Sequence, residues 1–340
     1  MGCEDLIVVT GGAGFIARCV VRELNLKNIT RIVLFDKYDA LTLQNLENLR
    51  GLSFSSLESS ETLEAFLETE KDQIKCVIHL GANSSTTGTD ARDYLENNYE
   101  LSKLLVDFCL EEKIRFIYAS SASIYGDSAQ EFDDDPKKFA ENRPLNLYAW
   151  SKYLFDQYIY ENGLENSVLG LRLFNVFGQD RSKGDMQCIV TKAFDKILLK
   201  KKMEIFDVES SRDFVFVKDV ARFIVESIHK PSYGIVNFGS GKATTFKEVC
   251  EMVYEAMEQS PHFEEISIPP QLMGKYQYYT RSNNNRLTEM LKKHRYNFSF
   301  TPLRDAIKDT VNPSIQEVLD TNTYINGPHV HAFQKSLEDY

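Results

Sequence analysis

The sequence predicts an α/β fold organised on a doubly wound parallel sheet, and two observations carry that expectation. Short apolar, β-rich runs at residues 6–10, 31–36, 76–80, 115–120 and 168–174 alternate with amphipathic stretches such as 90–112 and 146–161. This is the rhythm of successive β-α-β units. Several runs are also apolar at consecutive positions, as in Leu6-Ile7-Val8-Val9 and Cys76-Val77-Ile78. Strands of that kind need cover on both faces, which a central parallel sheet flanked by helices provides.

A chain of 340 residues has room for roughly two domains or one large α/β unit with a full core. Its 39 Lys and Arg against 50 Asp and Glu leave a net charge of −11 spread along the chain. Such a surface has no general attraction for phosphate polymers or anionic membranes, so neither nucleic acid nor membrane is expected as a partner. No apolar run approaches the roughly twenty residues a bilayer crossing needs. The six cysteines (Cys3, Cys19, Cys76, Cys109, Cys188, Cys250) contain no CxxC pair and mostly sit in apolar stretches, which reads as reduced, buried thiols. The opening MGCEDLIVVT has no cleavable apolar region, and Leu6 stands where a myristoylated Gly2 would call for Ser or Thr. A soluble protein of the reducing cytoplasm is expected.

The first strand runs directly into Thr10-Gly11-Gly12-Ala13-Gly14-Phe15-Ile16-Ala17, which opens the first helix. Glycines at such a turn let a diphosphate approach bare backbone at a helix amino end, the arrangement of a Rossmann-like dinucleotide site. The spacing is GxxGxxA, and Ala at the third place still allows close helix-strand packing. Gly11, Gly14, Phe15 and Ile16 are therefore cofactor-binding candidates; a tight turn of purely structural use is the bland alternative. Asp36 closes the second strand 22 residues after Gly14, the distance expected of a carboxylate that accepts from the adenosine ribose. This favours NAD, while Lys37 next to it could neutralise a 2′-phosphate and keeps NADP open. An ordinary strand-end Asp is the competing account.

Tyr148 and Lys152 are spaced i,i+4 on the helical stretch 146–161, so both project from one face. A phenol with a pKa of about 10 is a poor base at neutral pH, and a nearby ammonium favours its phenolate. Alone this pattern is weak, because Tyr153, Tyr158 and Tyr160 share the helix. It gains from Ala119-Ser120-Ser121-Ala122-Ser123 at the carboxyl end of a predicted parallel strand, where open α/β sheets bind their ligands. Ser121 is the expected donor to a substrate oxygen and Ser123 a second contact. Ser120 is expected only to cap the following turn.

Beyond residue 175 the rhythm loosens. A Gly-containing loop at 178–185 precedes a helix at 186–201 and a short strand pair at 204–207 and 213–217. The helix 219–229 and strand 234–238 return to the sheet, and residues 244–300 hold Pro269-Pro270 and Ser282-Asn283-Asn284-Asn285. The expected division is a dinucleotide-binding domain at 1–174 and 218–243, a smaller, discontinuous α/β substrate lobe at 175–217 and 244–330, and a tail at 331–340.

The TGGAGFI turn, Ser120-Ser121-Ala122-Ser123-Ile124-Tyr125-Gly126 and Tyr148-Ala149-Trp150-Ser151-Lys152 together resemble the extended short-chain dehydrogenase/reductase family of nucleotide-sugar enzymes over nearly the whole chain. Ser84-Ser85-Thr86-Thr87, Asn97-Asn98-Tyr99, 173–178 (LFNVFG), Lys183-Gly184-Asp185-Met186, Arg212-Asp213-Phe214-Val215 and Gly274-Lys275-Tyr276-Gln277 narrow the likeness to its epimerases of nucleotide-activated heptoses. The resemblance implies a tightly bound NAD or NADP, a nucleotide-diphosphate sugar as substrate and a homo-oligomer. The implied reaction inverts C6 by transient oxidation to a ketone and re-reduction. The ketone must turn over between the two steps, so two acid/base groups are implied: Tyr148, with Lys152 and Ser121, and then Lys183. A lysine near pKa 10.4 needs burial or a neighbouring cation to act as a base, and Arg181 is a candidate neighbour. Arg212 and Lys275 are implied partners of the diphosphate, with Tyr276 beside them; Asn175 and Ser84 to Thr87 line the sugar pocket.

Several positions depart from the family pattern: Ala17 replaces a common Gly, Gln179 a common Pro, and Leu43 a basic residue that meets the NADP phosphate. A C4 epimerase or dehydrogenase acting on a nucleotide heptose or hexose retains the same core residues and stands as the alternative. A 4,6-dehydratase is disfavoured because Ala122-Ser123 occupy the place of its Asp-Glu pair. A non-catalytic nucleotide-sugar-binding protein is a different class of explanation, against which the joint presence of Ser121, Tyr148 and Lys152 speaks. His329 and His331 have no thiolate or carboxylate grouping around them, so no metal site is expected.

Overall fold

A computed structural model describes residues 5–127, 132–180, 187–206, 209–267 and 276–312. Seven strands form the main sheet: β1 (Leu6–Thr10), β2 (Ile32–Asp36), β3 (Ser56–Ser59), β4 (Ile74–His79), β5 (Arg115–Ser121), β6 (Leu169–Leu173) and β10 (Gly234–Phe238), in the order β10-β6-β5-β4-β1-β2-β3. Every pairing in it is parallel. Because side chains alternate across a strand, each run feeds two cores. Ile7 and Val9 join Leu34, Ile78 and Ile117 on one face, under α1 (Phe15–Leu26) and α8 (Val217–Ser227). Leu6 and Val8 join Phe35, Val77 and Phe116 on the other, under α3 (Leu63–Glu70), α5 (Leu101–Glu111) and α6 (Leu147–Glu161). The consecutive apolar runs of the sequence are thus covered from both sides.

The short α2 (Leu43–Glu47) follows β2. On the far side of β4, α4 (Ala91–Tyr94) passes through a wide π-helical turn, Leu95–Glu100, into α5. β3 has no counterpart among the sequence expectations. Its Ser-Leu-Glu-Ser is half-buried at the sheet edge and contains no apolar run to announce it.

The expected pairing of strands 204–207 and 213–217 does not occur. β8 (Met203–Phe206) pairs in parallel with β12 (Phe263–Ile266), whereas β9 (Ser211–Phe216) lies between β7 (Asn175–Phe177) and β11 (Ala243–Thr245). Burial explains the difference: β9 is buried from Arg212 to Phe216 and needs neighbours on both edges, while β8 alternates buried Met203 and Ile205 with exposed Glu204. A third core gathers Phe177, Phe214 and Phe216 with residues of α7 (Ile189–Leu198), α9 (Phe246–Ala256) and α11 (Leu303–Val311). α10 (Asn285–Lys293) packs Leu287 and Met290 against the first core. Among the described residues, no helix is long and apolar enough to cross a membrane.

Candidate active site

The strand order reverses at β1, whose neighbours are β2 on one side and β4 on the other. The crevice outside the carboxyl ends at such a reversal is where open α/β sheets take ligands. Here the backbone turns are packed as closely as glycine permits. Gly11 sits at φ +64°, and a β-carbon on it would stand 2.7 Å from the Gly81 Cα that follows β4. A β-carbon on Gly12 would stand 2.6 Å from Leu34 Cβ. Gly14 precedes α1 with no side chain capping the helix and no acidic residue in its first turn. The leading amides of α1 therefore keep their donors, together with the positive end of the helix dipole, for a diphosphate. These features fit a nicotinamide dinucleotide. Phe15 is buried in the third core beside Phe177 and Val217, and Ile16 is half-buried against two cores, so their part in the cradle falls to their backbone.

Asp36 ends β2 beside this turn, its Oδ2 accepting from the Ala13 amide at 2.9 Å and its Oδ1 from the Lys37 amide at 2.9 Å. Partial burial raises its pKa against the pull of these two bonds. A carboxylate has about four lone-pair sites, so acceptor capacity remains for a ribose hydroxyl. Lys37 is exposed, and Leu43, 66% exposed, begins α2 nearby in the chain.

The second cluster is built by α6 against the end of β5. Asn146 caps α6 by accepting from the Ala149 amide at 2.9 Å, which fixes Tyr148 in the first turn and Lys152 one turn further on. The Tyr148 hydroxyl faces the Ser121 side chain; burial raises the phenol's pKa and Ser121 opposes the rise. Ser121 Oγ also accepts from the Ser123 amide at 3.1 Å and the Ser123 hydroxyl at 2.9 Å. Lys152, 4% exposed, donates from Nζ to the Ala119 carbonyl at 2.9 Å. Burial lowers its pKa to about 8, with the charge of Asp156 working in the opposite direction. Ser121, Ser123, Tyr148 and Lys152 are thus brought to one strand end.

Ser120 does not cap the turn, contrary to expectation: its hydroxyl donates to Asp156 Oδ2 at 2.9 Å, and Ser121 is the capping serine. Adjacent strand residues face opposite sides of the sheet, so the two hydroxyls cannot share one task.

Two supporting residues carried no role in the sequence reading. Asn98 lies in the π-helical turn, fully buried, accepting from the Asn83 amide at 2.8 Å and donating to the Asn83 carbonyl and to Ser151 Oγ, each at 2.9 Å. It ties the loop after β4 to α6 beside Lys152. His79 bonds Thr10 Oγ1 at 2.6 Å through Nδ1 and Ser102 Oγ at 2.9 Å through Nε2. Burial, helped by the Lys152 charge, pushes its pKa down to about 3. The Asn97-Asn98-Tyr99 run marked the first; only its place at a strand end marked the second.

On the lobe side, Asn175 is exposed at the start of β7 and Ser84 is exposed in the loop after β4. Arg212 is buried, its guanidinium 5.4 Å from the Phe246 ring and 4.8 Å from the Tyr276 ring, with Nη1 donating to its neighbour's carbonyl. Gln277 donates from Nε2 to the Gly126 carbonyl at 2.8 Å and joins this region to the turn after Ser123. Lys183, Arg181 and Lys275 lie outside the described residues, as do His329 and His331.

The reversal crevice, the uncapped glycine turn and the Ser-Tyr-Lys cluster define a nicotinamide-dependent enzyme of the extended short-chain dehydrogenase/reductase type. Residues 7–239 match the NAD dependent epimerase/dehydratase family, and the chain belongs to it. It is 35% identical over 317 residues to an ADP-L-glycero-D-manno-heptose-6-epimerase of Nitratidesulfovibrio vulgaris strain DP4, covering 90% of this chain and 97% of that one. A protein of the same name from Brachyspira hyodysenteriae is 37% identical over 295 residues, covering 83% of this chain and 90% of that one. Among solved structures, UDP-N-acetylglucosamine 4-epimerase from Methanobrevibacter ruminantium M1 superposes with a TM-score of 0.77 at 23% identity, over 92% of this chain and 99% of that one.

Proposed function

We propose that this chain is a nucleotide-sugar epimerase that inverts C6 of an ADP-glycero-manno-heptose through a transient ketone, with NAD as its tightly held cofactor. The observation that carries the reading is the Tyr148 hydroxyl facing Ser121 at the end of β5, with the buried Lys152 side chain one helical turn away. The names of the two relatives at 35% and 37% identity support the choice of substrate.

The leading amides of α1, at Phe15 and Ile16, and the Asp36 carboxylate would hold the dinucleotide, with Tyr148 and Lys152 at its nicotinamide end. When bound there, the dinucleotide would supply reversible hydride removal and return at the carbinol carbon. Ser121 orients the carbinol oxygen and Tyr148 receives its proton. Burial leaves the Tyr148 phenol a weak base, an effect that Ser121 opposes, and an ammonium one helical turn away would favour the phenolate further as the bound substrate closes the site. Lys183, which follows β7 in the sequence, serves the ketone oxygen in its turned-over position. Asn175, Ser84 and Ser123 contact the sugar, and Arg212, Lys275 and Tyr276 the diphosphate. NAD rather than NADP is favoured by the Asp36 carboxylate at the ribose position and by apolar Leu43 where a phosphate-binding cation would stand. A homo-oligomer of the cytoplasm completes the reading.

The test is incubation of the purified protein with ADP-heptose, followed by NMR at C6. Inversion is expected, with loss of inversion in Tyr148→Phe and Lys183→Met. A 4-keto product would replace the reading with a C4 dehydrogenase. Unchanged sugar and no nicotinamide released on denaturation would leave a binding protein.

A further inference from the structure

Behind the Ser-Tyr-Lys cluster lies a buried ion pair. Asp156 and Arg172 are 0% and 1% exposed, with Arg172 Nε 2.9 Å from Asp156 Oδ2. Asp156 stands one turn beyond Lys152 on α6, the i,i+4 spacing at which an acid and a base on a helix close on each other. At this depth, with little water to screen them, the attraction would be stronger than on a surface. Yet among the described residues Lys152 has no ion pair, and its Nζ donates to the Ala119 carbonyl instead.

The coordination of Asp156 explains why. Oδ1 accepts from the Tyr118 hydroxyl and Oδ2 from the Ser120 hydroxyl, each at 2.9 Å, so the carboxylate braces β5 on both sides of Ala119, while Arg172 neutralises it. Arg172 is the sheet neighbour of Ser120 and is itself fixed, donating to the Tyr125 hydroxyl at 3.0 Å and the Tyr160 hydroxyl at 3.4 Å with the Phe139 ring 5.4 Å away. We propose that Arg172 is a positioning residue that keeps the Asp156 carboxylate from capturing Lys152, so that the ammonium stays on Ala119 and in the service of Tyr148. The inference rests on the proton-transfer role given above to Tyr148 and Lys152.

Around the Lys152–Asp156 step of α6 stand Tyr148 on the same helix, Tyr118 from β5 and Arg172 from β6, both bonded to Asp156, and His79 from β4, which feels the Lys152 charge. Asp156 alone can draw the ammonium away. Its charge already opposes the effect of burial on Lys152, and removing Arg172 leaves that carboxylate without its cation.

The test compares Arg172→Met with the double variant Asp156→Asn, Arg172→Met, in which Asn still bridges the Tyr118 and Ser120 hydroxyls but offers no charge. Two readouts are taken on the cofactor-bound protein: the titration of the Lys152 ammonium by 15N-lysine NMR, and the pH profile of kcat on ADP-heptose. Arg172→Met should raise the Lys152 titration and move the acid limb of kcat upward by a unit or more, lowering kcat at pH 7 about tenfold. The double variant should return both to near the native values. An unmoved acid limb and Lys152 titration in Arg172→Met, or a double variant as impaired as the single, overturns the proposal. If Arg172→Met does not fold, the double variant decides alone, and a kcat more than tenfold below native with a shifted limb counts against the proposal. Should the native protein leave ADP-heptose unchanged, the substrate assignment falls while the Lys152 titration still decides this one.

Discussion

Gly170 lies under the ring of Tyr118: a β-carbon at position 170 would stand 2.5 Å from Tyr118 Cζ and 2.6 Å from its hydroxyl oxygen. The two are neighbours across β5 and β6, and the absence of a side chain at 170 lets the Tyr118 hydroxyl reach Asp156. Gly170→Ala should therefore displace the ring, break that hydrogen bond and destabilise the protein by about 1–3 kcal/mol, the usual cost of overpacking a core. Urea unfolding followed by fluorescence measures it, and an unchanged midpoint would show that the ring has room to move.

Gly11→Ala combines a left-handed backbone with contact against Gly81. The strain alone is about 1–2 kcal/mol, and the clash bends the turn that sets the leading amides of α1 against the dinucleotide. The variant should be purified with far less bound nicotinamide cofactor than the native protein, as read from the small molecules released on denaturation.

Tyr148→Phe keeps the ring and its packing but removes the hydroxyl that meets Ser121. Epimerisation should fall by about 10²–10⁴-fold, the range of one positioned acid/base group, while cofactor content stays at the native level. Equal losses of cofactor and activity would point to a collapsed site instead.

Asp36→Ala removes the carboxylate from the ribose end of the cradle. Two like charges about 4 Å apart repel by about 1–4 kcal/mol between fully exposed and half-buried surroundings. The ratio of NADP to NAD binding should rise by about tenfold or more, measured by reconstituting the cofactor-free protein with each dinucleotide. A ratio that does not move would show that Asp36 only braces the Ala13 amide.

His79 gives the fold a defined acid response. Its pKa falls from 6.5 in the unfolded chain to about 3 in the folded one, chiefly because burial disfavours the cation. Above pH 6.5 both states are neutral and nothing is lost. Between 6.5 and about 3 the unfolded chain binds the extra proton, so stability declines as pH falls, by roughly 5 kcal/mol at the end of that window. Urea midpoints across pH 4–7 should slope accordingly, and His79→Gln should flatten the slope.

The sheet was legible because its strands are apolar on both faces and bounded by turn residues; β1 and β10 begin and end where the sequence places them. β3 was hidden because an edge strand of half-buried serines carries no such signature. In the site, the Tyr148-Lys152 spacing and the strand-end serines were visible as patterns, but the choice between Ser120 and Ser121 depends on which hydroxyl is already given to Asp156. Arg172 could be seen as a charge inside Leu169-Gly170-Leu171-Arg172-Leu173, a strand buried throughout. Its partner could not, because nothing in the spacing of residues 156 and 172 says that one helix and one strand will meet there.

The π-helical turn at Leu95–Glu100 has a consequence for how this gene can change. An α-helix advances about 100° per residue, so losing one residue from that wide turn would rotate Tyr94 and everything before it relative to Ser102. Asn98 would then swing off Asn83 and Ser151, and the loop after β4 would lose its tether to α6. Point substitutions leave that spacing intact, whereas an in-frame deletion of a single codon there would uncouple the helix from the loop in one step.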